Sequence, residues 1–399
     1  MKLFSCQACQ NIVYFENRSC GRCGHRLAFL PERLEISALK PEGQDWEPLA
    51  KPGTRRRFCA NAATDACNWL VESESDDLYC RACRHNRTIP DLSSPERLRA
   101  WRELEAAKRR LFYSLLRWSL PLGTREDDPA HGLQFNFLAD GPQDEDRVMT
   151  GHEHGVITIA LAEADDIERE RRRLQMNEPY RTLLGHFRHE TGHHYWDLLV
   201  RDDADRLEEC RALFGDDGQD YQAMLKKYYA EGPPGGWQDA FVSAYATVHP
   251  WEDFAETWAH YLHIVDTLEM ASEFGIEVRP RGDSEGGLSA RVDFDPYSVE
   301  DFDRIAQAWL PCVFALNSMS RAMGVRDLYP FTLSTVVIRK LAFIHGLVHG
   351  HRPKVMELPA RWAVDTSRHY EGGSHGLESR RGKLEGDEGQ GQGTVGQAH

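Results

Sequence analysis

No stretch of this 399-residue chain approaches the roughly 20 consecutive apolar residues that a membrane-spanning helix needs, which excludes a helical membrane protein. The N-terminus, MKLFSCQACQ, lacks the apolar core of a secretory signal, so the expected compartment is the cytoplasm, where thiols stay reduced. Positive charge is in deficit: 48 Lys+Arg stand against 63 Asp+Glu, a formal net charge of −15. The deficit is uneven, with 19 basic and 15 acidic residues over 1–110 and 29 against 48 over the remainder. An acidic body lacks the clustered Lys and Arg that displace counterions from a phosphate backbone, which argues against a nucleic-acid partner. The composition, 41% hydrophobic and 28% charged, has none of the extremes of a disordered chain, a collagen or a coiled-coil rod. The length suits two or three domains.

Cysteine is sparse beyond residue 83. Cys210 and Cys312 read as buried core thiols. The other eight crowd into the first 83 residues as two groups of four, Cys6, Cys9, Cys20, Cys23 and Cys59, Cys67, Cys80, Cys83. The first group is two Cys-x-x-Cys knuckles, each able to place two sulfurs on one metal, and fits a tetrahedral four-cysteine zinc site. So short a segment cannot bury a core, so metal would supply the folding energy. The second group has a longer first spacing but fits the same site, with His85 as a possible substitute ligand that reads better as a polar surface residue. Each four-thiolate zinc centre carries about −2, which offsets the modest basic excess of this region. The Arg55–Arg57 run, with Arg81, Arg84 and Arg87, could form a local basic face, but a solvated surface is the simpler reading.

The expected layout is a zinc ribbon over 1–36, a Pro/Gly/Glu linker over 37–56, a second four-cysteine module over 57–92, a large domain over 93–365 and a disordered Gly-rich tail over 366–399. Ser94 and Pro95 open a helix running to about residue 118. Residues 133–139 and 155–161 read as strands on either side of an acidic loop. Beyond them the pattern is mostly helical, over 179–201, 203–214, 219–230, 237–247, 250–272, 298–323 and 334–350.

The motif with most chemistry is His189-Glu190-Thr191-Gly192-His193, inside the helical stretch that follows residue 179. Positions i and i+4 share a helix face, so both imidazoles can grip one zinc ion, and Glu190 is placed to take a proton from an attacking water. Downstream, Pro250 opens another helix on which Glu252 and Glu256 share a face. Glu252 can complete a site of two His and one Glu, and Glu256 can accept the second N–H of a zinc histidine and fix its tautomer. Asp253 is the alternative ligand but points off that face. His345 and His349 share an i, i+4 spacing without an adjacent glutamate, and fit a helix C-terminus better than a metal. His152 and His154 stand before the second strand, within reach of a substrate. His186 and His194 flank the motif off the ligand face, and His249 reads as a turn residue.

This constellation resembles the gluzincin metallopeptidases, particularly the lethal-factor-like branch. In that branch a Phe-Ala-Glu turn follows the ligand glutamate, as Phe254-Ala255-Glu256 does here. Thermolysin-type gluzincins place Asp where this chain has Glu256; the lethal-factor-like branch accepts Glu. The branch also has a tyrosine seven residues before the ligand glutamate that steadies the oxyanion, and Tyr245 holds that position. Over about residues 1–350 the chain is similar to bacterial zinc-binding metallopeptidases with an N-terminal zinc ribbon. The resemblance implies an α+β fold: a zincin-like, mainly helical metallopeptidase domain with a small sheet, preceded by two small zinc-ribbon-like modules. It implies one catalytic and two structural Zn²⁺, a protein or peptide substrate, and a mechanism in which Glu190 is the general base and the 155–161 strand is the edge that pairs with the substrate. The competing expectation is a binding module, in which the ribbons hold a protein or nucleic-acid partner on an inactive or regulatory scaffold.

Overall fold

The computed structural model describes residues 2–141, 148–175, 180–283 and 286–350. The tail expected over 366–399 lies outside the described residues.

The N-terminal strands are short: β1 (Phe4–Ser5), β2 (Ile12–Val13), β3 (Leu27–Leu30), β4 (Glu35–Glu42), β5 (Asp45–Pro48), β6 (Arg56–Phe58), β7 (Leu70–Glu72) and β8 (Asn86–Thr88). β1 and β2 form a small hairpin, and β3 to β7 pair in sequence order as one five-stranded sheet. The expected linker over 37–56 is therefore β4, a turn at Gly43 and β5, in the middle of that sheet. Its apolar positions are the reason: Leu39 of β4 joins Ala28, Leu30 and Leu70 in a buried cluster, with Trp46 and Phe58 packed on it.

Helix α1 (Pro95–Arg117) begins at Ser94, whose side chain accepts from the Arg97 N–H, with Pro95 in the first turn. It buries Trp101, Leu104, Leu111, Phe112 and Leu115. One side meets the ribbon region, where Tyr113 packs edge-on against Phe15 at 5.6 Å. The other meets a sheet built from β9 (Gln134–Leu138), β10 (Gly151–Glu153) and β11 (Val156–Ala160) together with β8, in the order β10-β11-β9-β8. β9 alternates, so that Phe135 and Phe137 face inward. Strand β11 is thus interior: antiparallel β10, too short to show in the sequence, covers it and forms the free edge.

The helices that follow are α2 (Asp166–Gln175), α3 (Leu183–Trp196), α4 (Ala204–Phe214), α5 (Tyr221–Glu231) and α6 (Pro250–Glu273). A short strand pair, β12 (Glu277–Val278) and β13 (Ala290–Arg291), precedes α7 (Phe302–Ala322) and α8 (Thr335–Val348). A π turn, Asp197–Arg201, extends α3. The expected helix over 237–247 is instead two single 3₁₀ turns, Trp237–Asp239 and Tyr245–Thr247. Phe187 of α3 packs on Phe135 at 5.8 Å, which seats α3 against the sheet, and α6 lies along α3. Among the described residues no helix is long and apolar enough to cross a membrane.

Candidate metal centre

Two caps and one glycine set the geometry. Thr182 caps α3 by accepting from the Gly185 N–H, and His249 caps α6 by accepting from the Trp251 N–H, with Pro250 in the first turn. Between the helices, a Cβ added at Gly192 would lie 2.8 Å from the Ala255 Cα, so only glycine allows this approach. The contact brings the His189/His193 face of α3 onto the Glu252/Glu256 face of α6.

There the side chains converge. His189 Nε2 stands 3.0 Å and His193 Nε2 3.4 Å from the same Glu252 oxygen, Oε2. His189 Nδ1 lies 2.7 Å from Glu256 Oε1, and Ser243 donates to the other Glu256 oxygen at 2.6 Å. Glu256 accepts from Nδ1–H, which leaves Nε2 of His189 with its lone pair facing the Glu252 carboxylate. Lone pair against carboxylate is repulsive unless a metal cation or a proton on Nε2 lies between them. Ligands held about 2.0–2.1 Å from a tetrahedral zinc stand about 3.3 Å apart, close to both separations. The ligand atoms of His189, His193 and Glu252 all lie within 4.8 Å of one another. The residues therefore fit a metal ion.

The electrostatics agree. Burial would lower the His189 pKa, but the hydrogen bonds and charges of Glu252 and Glu256 outweigh it and push the value well up, as expected of a pocket that attracts positive charge. Burial pushes the Glu256 carboxyl up, yet the bond and charge of His189 hold it down at about 2. Glu190 is buried beside this set and its carboxyl is pushed up by desolvation.

Tyr245 lies near the ligands, its ring 5.9 Å from that of His189. Burial, with the charge of Glu252, pushes its phenol pKa up. Sequence reasoning missed Tyr221, whose hydroxyl donates to Glu252 Oε1 at 2.7 Å. It also missed Ser243 and Trp251, the latter with its ring 3.8 Å from that of His193. None of the three carries a motif; each is brought in by the fold.

The other candidates separate cleanly. Asp253 turns away from the ligand face to meet Lys340 at 2.5 Å, both buried. His152 of β10 lies 6.1 Å from the His193 ring, and its Nε2 accepts from the Gly155 N–H. His186 pairs with Glu163 at 3.1 Å. His345 Nδ1 bonds the Tyr261 hydroxyl, and His349 Nδ1 bonds the His345 carbonyl as a helix end.

The cysteines form two sets, Cys6/Cys9/Cys20/Cys23 and Cys59/Cys67/Cys80/Cys83, each with its sulfurs within 4.8 Å of one another. Sulfurs about 2.3 Å from a tetrahedral zinc stand about 3.8 Å apart. Cys6–Cys23 and Cys9–Cys20 are at 3.6 Å and Cys67–Cys80 at 3.8 Å, so both sets fit zinc. Beside the second set burial lowers the pKa of Arg109, but Cys67, Glu105, Cys83 and Cys80 outweigh it and raise the value. A buried guanidinium suits a centre carrying about −2. His85 is neither a ligand nor a surface residue: it is fully buried, bonded through Nδ1 to the Leu133 carbonyl at 2.8 Å and packed on Phe112. Cys210 and Cys312 are buried.

The basic face is largely spoken for. Arg55 pairs with Asp45 at 2.9 Å, Arg56 with Glu32 and Glu72, and Arg57 with the carbonyls of Ser73 and Ser75. Arg84 reaches Asp127 at 3.6 Å.

Residues 97–347 match the model of the family described as "Putative zinc-binding metallo-peptidase", and residues 3–94 match that of a zinc-ribbon domain. Uncharacterized proteins of Mycobacterium bovis and of two strains of Mycobacterium tuberculosis are 40% identical to this chain over 353 residues, covering 88% of it and 97% of each of them. No solved structure matches the chain.

Proposed function

The chain belongs to this zinc-binding metallo-peptidase family, and from that premise we propose that it is a zinc-dependent peptidase of gluzincin type, with a zincin-like arrangement of α3 and α6 behind two structural zinc sites. The observation that carries the reading is the approach of two imidazole Nε2 atoms to one oxygen of Glu252. His189, His193 and Glu252 would hold the catalytic ion, and the two cysteine sets one structural ion each.

A zinc ion held by these three residues would supply Lewis acidity, lowering the pKa of bound water and offsetting negative charge on a scissile carbonyl oxygen. The protein's own groups do the rest. Glu256, steadied by Ser243, fixes the tautomer and tilt of His189, as carboxylates that accept the other ring N–H of metal-binding histidines commonly do. Glu190 accepts the proton of the attacking water and passes it to the leaving amine. Burial pushes its carboxyl pKa up, the direction a general base needs. Tyr245 is the donor proposed for the oxyanion, a role typically worth about 3 kcal/mol. The free edge of β10 is the place for an extended peptide to pair, one strand further out than the sequence suggests. This reading gives the ribbons no nucleic-acid role, because Arg55, Arg56, Arg57 and Arg84 are engaged by acids and carbonyls.

The test is Glu190→Gln. Cleavage of a mixed peptide substrate should fall by at least about a hundredfold while zinc content is unchanged. Unchanged cleavage would sink Glu190 as the base.

A further inference from the structure

Helix α5 stands apart from the other helices of this region. None of its residues is buried, and among the described residues it packs extensively against no other helix or strand. An isolated helix of this length is marginal in water, so its position depends on what it touches. Its half-buried residues, Tyr221, Met224, Leu225 and Tyr228, recur at helical spacing and form one face.

That face meets the metal centre. The Tyr221 hydroxyl donates to Glu252 Oε1 at 2.7 Å, and the Tyr221 ring stands edge-on to those of His249 at 5.4 Å and Trp251 at 6.3 Å. The Tyr228 ring stands edge-on to Tyr245 at 6.0 Å. Both flanks are able to turn. Gly215 (φ +102°) and Gly218 precede the helix; Gly232 (φ +76°), Gly235 and Gly236 (φ +73°) follow it.

We infer that α5 is a lid latched onto the metal centre by Tyr221. Closed, its phenol fixes the Glu252 oxygen that does not face the histidines, and its aromatic face roofs the ligands. Open, it uncovers the centre to substrate and draws the Tyr228 ring away from Tyr245. Tyr221 is a positioning residue: it acts through Glu252. The inference rests on His189, His193 and Glu252 being metal ligands, and it does not require that a peptide be cleaved.

The test compares the full-length, zinc-loaded chain with Tyr221→Phe, which keeps the ring and removes only the hydroxyl. Two readouts are taken without peptide: hydrogen exchange along the chain, and zinc affinity by competition with a chromophoric chelator. Amides of 221–231 should exchange faster than those of α3 and α6 in the wild type. In Tyr221→Phe they should exchange about tenfold faster still, the effect of losing one hydrogen bond to a carboxylate, with α3 and α6 unmoved. Zinc at the histidine site should bind about 10–100-fold more weakly. Protection of α5 equal to that of α6, or unmoved by the substitution, would overturn the lid. Unchanged zinc affinity would overturn the latch. Zinc bound only at the cysteine sets would overturn the ligand reading and the latch with it, whereas a wild type that binds all its zinc but cuts no peptide would leave the inference standing.

Discussion

Gly192 of α3 and Ala255 of α6 touch so closely that a side chain at position 192 has no room: its Cβ would lie 2.8 Å from the Ala255 Cα and 3.2 Å from the Ala255 Cβ and carbonyl oxygen. His193 follows Gly192 directly on α3, and on α6 Glu252 stands three residues before Ala255 and Glu256 one after it. Gly192 thus does more than fill the second variable place of the histidine motif. It sets the separation at which Nε2 of His189 and His193 can both reach Glu252.

Gly192→Ala forces the helices apart, since the obstruction is backbone and not a flexible side chain. Overpacking of this kind costs about 1–3 kcal/mol. The variant should melt earlier and lose zinc from the histidine site to a chelator more readily than the wild type. An unchanged melting temperature with zinc fully retained would mean that the contact does not set the site.

Lys340 of α8 is buried against Asp253 and also donates to the Ala240 carbonyl at 2.7 Å. Burial holds the Asp253 carboxyl up at about 7 even beside this cation. Lys340→Met removes the partner, and the carboxyl then takes up a proton instead of staying charged. The loss falls at the lower end for a broken buried pair, about 3 kcal/mol. Lys340→Met combined with Asp253→Leu should recover part of it. Denaturant unfolding of the two variants checks this; a single variant as stable as wild type would contradict it.

Glu163 is buried between His186 at 3.1 Å and Arg181 at 3.0 Å. Burial alone would raise its pKa, but the hydrogen bond and charge of His186 and the charge of Arg181 outweigh it and hold the carboxyl well below the usual range. A depressed folded pKa contributes stability that is present above the unfolded value, about 4.3, and is lost as pH falls through the folded one. Glu163→Gln should therefore be less stable than wild type at pH 7, and the gap should narrow as the pH falls below about 4.5. Unfolding of both proteins at pH 7 and about pH 3.5 measures it. A gap that stays constant or widens would contradict the assignment.

Much of the site could be read from spacing, because a helix converts spacing into geometry. His189 and His193, and Glu252 and Glu256, are each four apart and face one way. The Cys-x-x-Cys knuckles work in the same manner. What escaped the sequence depends on contacts distant along the chain. Tyr221 reaches Glu252 from another helix, and no periodicity links them. His85 looks like a surface residue beside arginines, yet Phe112 of α1 and Leu133, just before β9, close over it. The 37–56 segment carries Pro41, Pro48 and Gly43, which read as a connector, but Pro41 and Pro48 occupy sheet positions opposite Trp46 and Leu39. Strand β10 has three residues, too few for alternation to show. The 237–247 segment has helical composition, yet Ser243 turns to bond Glu256 and the chain makes only short turns there.

The central claim is that α3 and α6 build a zinc site distinct from the two cysteine sets. Metal content per chain, measured by elemental analysis for wild type and for a His189→Ala, His193→Ala double variant, tests it most directly. The account predicts three zinc ions in the wild type and two in the variant, with the loss confined to the histidine site. Equal zinc content in the two proteins would contradict it.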